Sequence, residues 1–146
     1  MKNAQIRNIR TLSLVEIEQY FEELGEKKFR AKQVWEWLWQ KHAMSFADMT
    51  NLSKDLRQKL GETFSFPALT VNSTQYSADG TVKTGFKTFD GHLVEGVLIP
   101  TEKRYTACVS SQIGCSLSCK FCATGYIDRK RNLNFDEIYD EVVLIN

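Results

Sequence analysis

The stretch Cys115-Ser116-Leu117-Ser118-Cys119-Lys120-Phe121-Cys122 sets three thiols at intervals of three and then two residues, between Gly114 and a loop that reaches Gly125. Such spacing brings three sulfurs to one point. A cubane iron–sulfur cluster has four irons, so three cysteines on one short loop ligate three of them and leave the fourth open to a substrate or cofactor. An open iron marks a catalytic cluster, not an electron carrier.

Rival uses of the thiols fit less well. A structural zinc site takes four protein ligands, usually in paired C-x2-C knuckles. The remaining cysteine is Cys108, and neither His42 nor His92 stands at motif spacing from it. Inert packing is a common fate of single cysteines, but three within eight residues on a polar loop are hard to explain as core. Disulfides are disfavoured because nothing at the N-terminus resembles a signal peptide, and a cytosolic chain keeps its thiols reduced.

Upstream of the loop, Tyr105 to Ser111 reads as a strand that sets Thr106, Cys108 and Ser110 on one face and Tyr105, Ala107 and Val109 on the other. That small polar face suits a lumen lined for chemistry. Before it, a period of two runs through Leu69 to Tyr76, Thr81 to Phe89 and His92 to Pro100. Asp90-Gly91 gives a strong hairpin signal, so three antiparallel strands in a meander are expected. Glu95 lies among Val94, Gly96, Val97 and Leu98, and a lone glutamate in such a strand faces solvent by default.

The N-terminal third is helical. Residues 1 to about 12 are polar and basic (Lys2, Arg7, Arg10) and read as a loose arm. Ser13 with Glu16 forms a capping box, Ile17, Phe21 and Leu24 recur at helical spacing, and Gly25 supplies a stop. A second helix is expected over 30–42, with Val34 and Leu38 on its core side and Trp35, Trp37 and Trp39 around it. Core packing is the first account of three tryptophans. The second is a basic and aromatic RNA surface with Lys27, Lys28, Arg30, Lys32 and Lys41. A short turn at 45–49 and a helix over 54–60, capped by Ser53 and ended by Gly61, complete a compact helical domain. Phe64-Ser65-Phe66-Pro67 reads as a linker. After the cysteines, Arg129, Lys130 and Arg131 form a basic run suited to phosphate. Asn134 with Glu137 caps a last helix bearing Phe135, Ile138, Val142 and Ile145 at helical spacing.

With 146 residues, 42% hydrophobic and 25% charged, and a formal net charge of +1, the composition is that of an ordinary soluble chain without a bilayer-spanning run. A near-neutral balance gives no global case for nucleic acid, so that case rests on local clusters. The last residues lie inside an apolar periodic run, so the chain is expected to be the N-terminal part of a longer protein, inactive alone.

C-x3-C-x2-C with an aromatic, Phe121, before the last cysteine resembles the cluster motif of the radical S-adenosylmethionine (SAM) enzymes. Tyr105-Thr106-Ala107-Cys108-Val109-Ser110-Ser111-Gln112-Ile113-Gly114-Cys115, Cys122-Ala123-Thr124-Gly125 and Arg131-Asn132-Leu133 narrow the match to the RlmN family. The resemblance extends from about Phe29 to the end. It implies methylation of carbon 2 of an adenine in 23S rRNA and in some tRNAs, with a 4Fe-4S cluster on Cys115, Cys119 and Cys122 and with Phe121 beside the adenine of SAM. Val94-Glu95-Gly96-Val97-Leu98-Ile99-Pro100 resembles the family's strand that bears the proton acceptor, a role that passes to Glu95. Cys108 takes the place of the thiol whose transient disulfide releases product. Phe29-Arg30-Ala31-Lys32-Gln33-Val34 resembles the accessory-domain motif thought to contact RNA. Here Ile127-Asp128-Arg129 replaces the family's more common Gly-Phe.

Carbon 2 of adenine is not nucleophilic, so methylation there needs a radical route. The resemblance further implies an electron donor such as flavodoxin, a monomer, and the cytoplasm. The expected fold is α+β to α/β: a helical RNA-binding domain over 1–63, a linker with antiparallel strands over 64–104, and over 105–146 the first β/α unit of a radical SAM (β/α)6 partial barrel. Two other readings stay open at this point, a Cfr-like enzyme acting on carbon 8 and an RNA-binding module with a structural metal site.

Overall fold

A computed structural model describes residues 6–145, which form two compact units that divide between Pro67 and Ala68. Lys2 of the expected basic arm lies outside the described residues.

The first unit contains β1 (Arg7–Asn8), α1 (Leu14–Glu23), α2 (Lys28–Trp39), α3 (Lys54–Thr63) and β2 (Phe64–Ser65), with short 3-10 turns at Ile9–Thr11 and Phe46–Asp48. The capping box that starts α1 is present. Glu16 Oε2 accepts from Ser13 N at 2.7 Å, and Ser13 Oγ accepts from Glu16 N at 3.3 Å. Gly25, at φ 72°, ends the helix in the left-handed turn that glycine adopts without steric cost. Ile17, Phe21, Ala31, Val34, Leu38, Met49, Leu56 and Leu60 are buried together, and the three tryptophans of α2 pack half-buried around this core. Core packing is therefore the main work of the indoles. Trp37 Nε1 also donates to Asn51 Oδ1 at 2.6 Å.

Three expectations for this unit change. Residues 6–12 are not a loose arm: β1 pairs in parallel with β2, Ile9 and Leu12 enter the core, and the Arg10 guanidinium lies 5.0 Å from the Phe66 ring. Phe64 to Pro67 is not a free linker, because Phe64 stacks edge-on to Tyr20 at 4.8 Å and Phe66 to Phe46 at 5.4 Å. Gly61 does not end α3, since the main-chain bonds run on to Phe64 N, which donates to Leu60 O.

The second unit is built on a four-stranded antiparallel sheet in the order β3 (Thr70–Tyr76), β4 (Val82–Lys87), β5 (Leu93–Pro100), β6 (Tyr105–Cys108). The expected meander is present with β6 added to it. The strands of 64–104 and the residues of 105–146 thus fold together, because β5 and β6 pair from Val97 with Cys108 to Pro100 with Tyr105. The strand expected over 105–111 is split. It stops at Cys108 and resumes as β7 (Gln112–Ile113), which pairs with β8 (Arg131–Asn132). Between them Ser110 N donates to the Glu141 carboxylate at 2.9 Å, which takes that amide out of the ladder.

The last helix, α4 (Phe135–Ile145), turns an unexpected face inward. Phe135 and Val142 are exposed, whereas Asp136, Glu137, Asp140, Glu141 and Ile145 are buried. Buried carboxylates persist when they accept hydrogen bonds. Asp140 Oδ2 accepts from Leu69 N at 3.0 Å, Glu141 Oε2 from Ser110 N, and Glu137 Oε2 from Asn134 N at 2.8 Å. The helix therefore receives main-chain amides from three segments. Its close approach to β5 leaves little room at Gly96, where an added Cβ would sit 2.9 Å from Ile145 Cδ1, the tip of that side chain.

Candidate active site

Glu95 stands on the open face of the sheet, as its sequence context suggested, with its side chain 60% exposed. Gly85 lies directly opposite on β4, so Lys83 reaches diagonally across the empty place and its Nζ meets Glu95 Oε1 at 2.9 Å. Ser110 Oγ donates to the Glu95 carbonyl at 2.8 Å from the other side. Cys108 is cross-paired with Val97, two residues beyond Glu95, so Cys108 and Glu95 share a face. Its thiol is exposed and free.

Glu95, Lys83, Leu93 and Val94 line one wall of a cavity of about 370 Å³, and Ser110, Gln112, Gly114, Ala123, Thr124 and Ile127 line the rest. The Glu95 side chain and the cysteine loop thereby face one space. The loop closes at its neck: Lys130 N donates to Ile113 O at 2.9 Å, and Cys115 N to Ile127 O at 3.0 Å. Gly114, at φ 70°, must be glycine, because a Cβ there would fall on the Asp128 carbonyl oxygen. Beyond the neck, Cys122 N donates to Cys119 O and Gly125 N to Cys122 O, two tight turns that stack the second half of the motif.

Cys115, Cys119 and Cys122 are free thiols, each half-buried on this loop, and Leu117 N donates to Cys115 Sγ at 3.4 Å. Three soft donors, one already hydrogen-bonded at sulfur, fit a thiolate-ligated cluster. The sulfurs are held on one loop but are not drawn to a point: among the described residues no three His, Cys, Asp or Glu side chains stand in a metal-holding group. Phe121 is 94% exposed, on the solvent side of the loop.

The basic residues expected at RNA divide. Lys32 and Lys130 are exposed. Lys28 is exposed 3.9 Å from Glu22, and Arg30 lies over the Phe29 ring at 4.8 Å while donating to Gln33. Arg129 bonds Asn132 Oδ1 at 2.7 Å. Arg131 is not a phosphate contact, because its guanidinium is held between the carboxylates of Asp90 and Glu137. Sequence reasoning missed Lys83, Asp90 and Glu141. Alternation on β4 could have placed Lys83 on the Glu95 face, whereas no local signal marks Glu141.

Burial pushes the Glu141 carboxyl up to about 7, helped by the charge of nearby Glu137 and opposed by the hydrogen bond from Ser110 N. Its Oε1 is buried with no hydrogen-bond partner among the described residues. A protonated carboxyl suits that position better than an anion.

Residues 7–65 match the family model of the ribosomal RNA large subunit methyltransferase N-terminal domain. The chain is 61% identical over 137 residues to a probable dual-specificity RNA methyltransferase RlmN of Cytophaga hutchinsonii, covering 94% of this chain and 38% of that protein. A dual-specificity RNA methyltransferase RlmN of Geotalea uraniireducens is 47% identical, over 94% of this chain and 40% of its own length. Among solved structures, a radical SAM methyltransferase from Sphaerobacter thermophilus superposes with a TM-score of 0.81 at 36% identity, over 95% of this chain and 41% of that one. The chain thus spans about two fifths of the length of these proteins.

Proposed function

Since this chain belongs to the RlmN family, we propose that it is the N-terminal part of a radical SAM methyltransferase that acts on carbon 2 of an adenine in 23S rRNA and tRNA. The observation that carries the proposal is the cavity in which the Glu95 carboxylate and the cysteine loop face each other. An iron–sulfur cluster with bound SAM supplies, when present, the radical reactivity that carbon 2 requires.

The chain's own residues then have defined work. Cys115, Cys119 and Cys122 would hold the cluster as thiolates, and Phe121 would help to bind SAM. Glu95 takes the proton from carbon 2 onto a carboxylate oxygen, with Lys83 orienting it. Cys108, on the same sheet face, would attack as a thiolate the sulfur of a second cysteine that is crosslinked to the methylated base: the S–S bond forms as the crosslink's C–S bond breaks, and the released electron pair goes to the product's carbon, which takes up a proton. The target base must be turned out of folded RNA at a cost of a few kcal/mol, which calls for added RNA contacts. Lys28, Arg30, Lys32, Arg129 and Lys130 are offered for phosphate. The setting is the cytoplasm, with a flavodoxin-class electron donor.

Anaerobic reconstitution with iron and sulfide tests the proposal. A brown protein with a broad band at about 400 nm is expected, as is its loss when Cys115, Cys119 or Cys122 becomes alanine. Stoichiometric zinc without iron would instead leave an RNA-binding module with a structural metal.

A further inference from the structure

Arg131 joins three segments that sequence keeps far apart. Its Nε meets Asp90 Oδ2 at 2.8 Å and its Nη2 meets Asp90 Oδ1 at 2.9 Å. On the other side Nη1 meets Glu137 Oε2 at 2.7 Å and Nη2 meets Glu137 Oε1 at 2.8 Å. The guanidinium also lies 5.0 Å from the centre of the Phe89 ring. Two bidentate grips by one planar fork are an arrangement that lysine, a single point charge, cannot reproduce. Arg131 holds the Asp90 carboxyl well below the usual carboxylate range.

The places it joins matter. Asp90 is in the turn that leads into β5, five residues before Glu95. Arg131 itself pairs with Ile113 at the neck of the cysteine loop, one residue before Gly114. Glu137 is in the first turn of α4, whose Glu141 binds Ser110 N and, through Ser110, the Glu95 strand. The two walls of the cavity, β5 and the loop, are thus tied at one end by a single side chain.

We infer, on the functional reading above, that Arg131 is a positioning residue that fixes the Glu95 strand relative to the cysteine loop, Asp90 being the arm that reaches the strand. A tie that only stabilised the fold would lower every partial activity together. A tie that sets a distance between proton acceptor and cluster separates them, since a misplacement of about 1 Å costs up to about a hundredfold in the step that depends on it.

The test uses the complete enzyme, reconstituted anaerobically, with Arg131→Lys and, because that change cuts both arms, Asp90→Asn as a milder second variant. Iron content, the charge-transfer band and 5′-deoxyadenosine release are expected to stay near wild type. Methylated RNA per 5′-deoxyadenosine falls by about tenfold or more, with the protein–RNA crosslink persisting. Amide exchange at Lys130 and Cys115 speeds up in both variants, and Asp90→Glu recovers part of the ratio. An unchanged ratio overturns the inference, as does a parallel fall of iron, 5′-deoxyadenosine and methylated RNA. Wild-type enzyme that takes up no iron overturns the functional reading itself, and this inference with it.

Discussion

Lys83 Nζ and Glu95 Oε1 meet at 2.9 Å across a gap that Gly85 leaves between β4 and β5. Both groups are about half exposed, so the pair adds little to stability, of the order of 0 to 1 kcal/mol. Its value lies in aiming a carboxylate at the cavity. Glu95→Gln in the complete enzyme is expected to leave cluster assembly intact and to stall turnover at the crosslinked stage, read on denaturing gels. Normal methylation by that variant removes Glu95 from the role. Lys83→Met is expected to slow the same step, with a thermal midpoint within about a degree or two of wild type.

Glu141 gives the second unit a pH dependence of unusual sign. Its carboxyl is raised from 4.5 to about 7 by burial, so the folded state holds the proton more tightly than the unfolded state. The group's contribution is therefore most favourable below about 4.5 and is lost as pH rises through about 7. Glu141→Gln is expected to flatten that dependence, so that the variant unfolds a few degrees above wild type at mildly alkaline pH and close to it in mild acid. A thermal-melt series over pH checks it, and parallel curves for the two proteins would refute it.

At the other end of the chain, Ser13→Ala removes one half of the capping box and is expected to cost about 1 kcal/mol in the first unit. Ser13 N–H, then its hydroxyl, then Arg7 pull the Glu16 carboxyl down to about 2. That contribution is complete above 4.5 and fades as pH falls toward about 2, so the stability gap between wild type and Ser13→Ala should narrow in strong acid as the hydroxyl–carboxylate bond is lost, while the part due to the cap on Glu16 N remains. Urea melts at neutral and acid pH would show it.

The local features were legible in the sequence because their causes are local. Ser13 with Glu16, Gly25, Asp90-Gly91 and Asn134 with Glu137 each act within four residues, and each stands where expected. The cysteine motif and its neighbours carried the family for the same reason. What stayed hidden depends on partners far along the chain. Arg131 reads as one of three basic loop residues until Asp90, 41 positions away, takes it. Asp140 carries no local signal of its role, since the amide it accepts from, Leu69 N, lies 71 positions away. The inward acidic face of α4 followed from such long-range amides, against the helix's own apolar spacing. Phe66, too, is half-buried against the core beside Phe46 and Arg10, both distant in sequence.

The three thiols on the loop after Gly114 are free and half-buried, and Cys108 is free and exposed. Four reduced sulfurs so accessible make the chain vulnerable to dioxygen and peroxide, which carry thiolates to sulfenic acid and then to disulfides. A colourless sample prepared in air would record its handling more than its chemistry, and mass shifts at Cys115, Cys119 and Cys122 would tell the two apart.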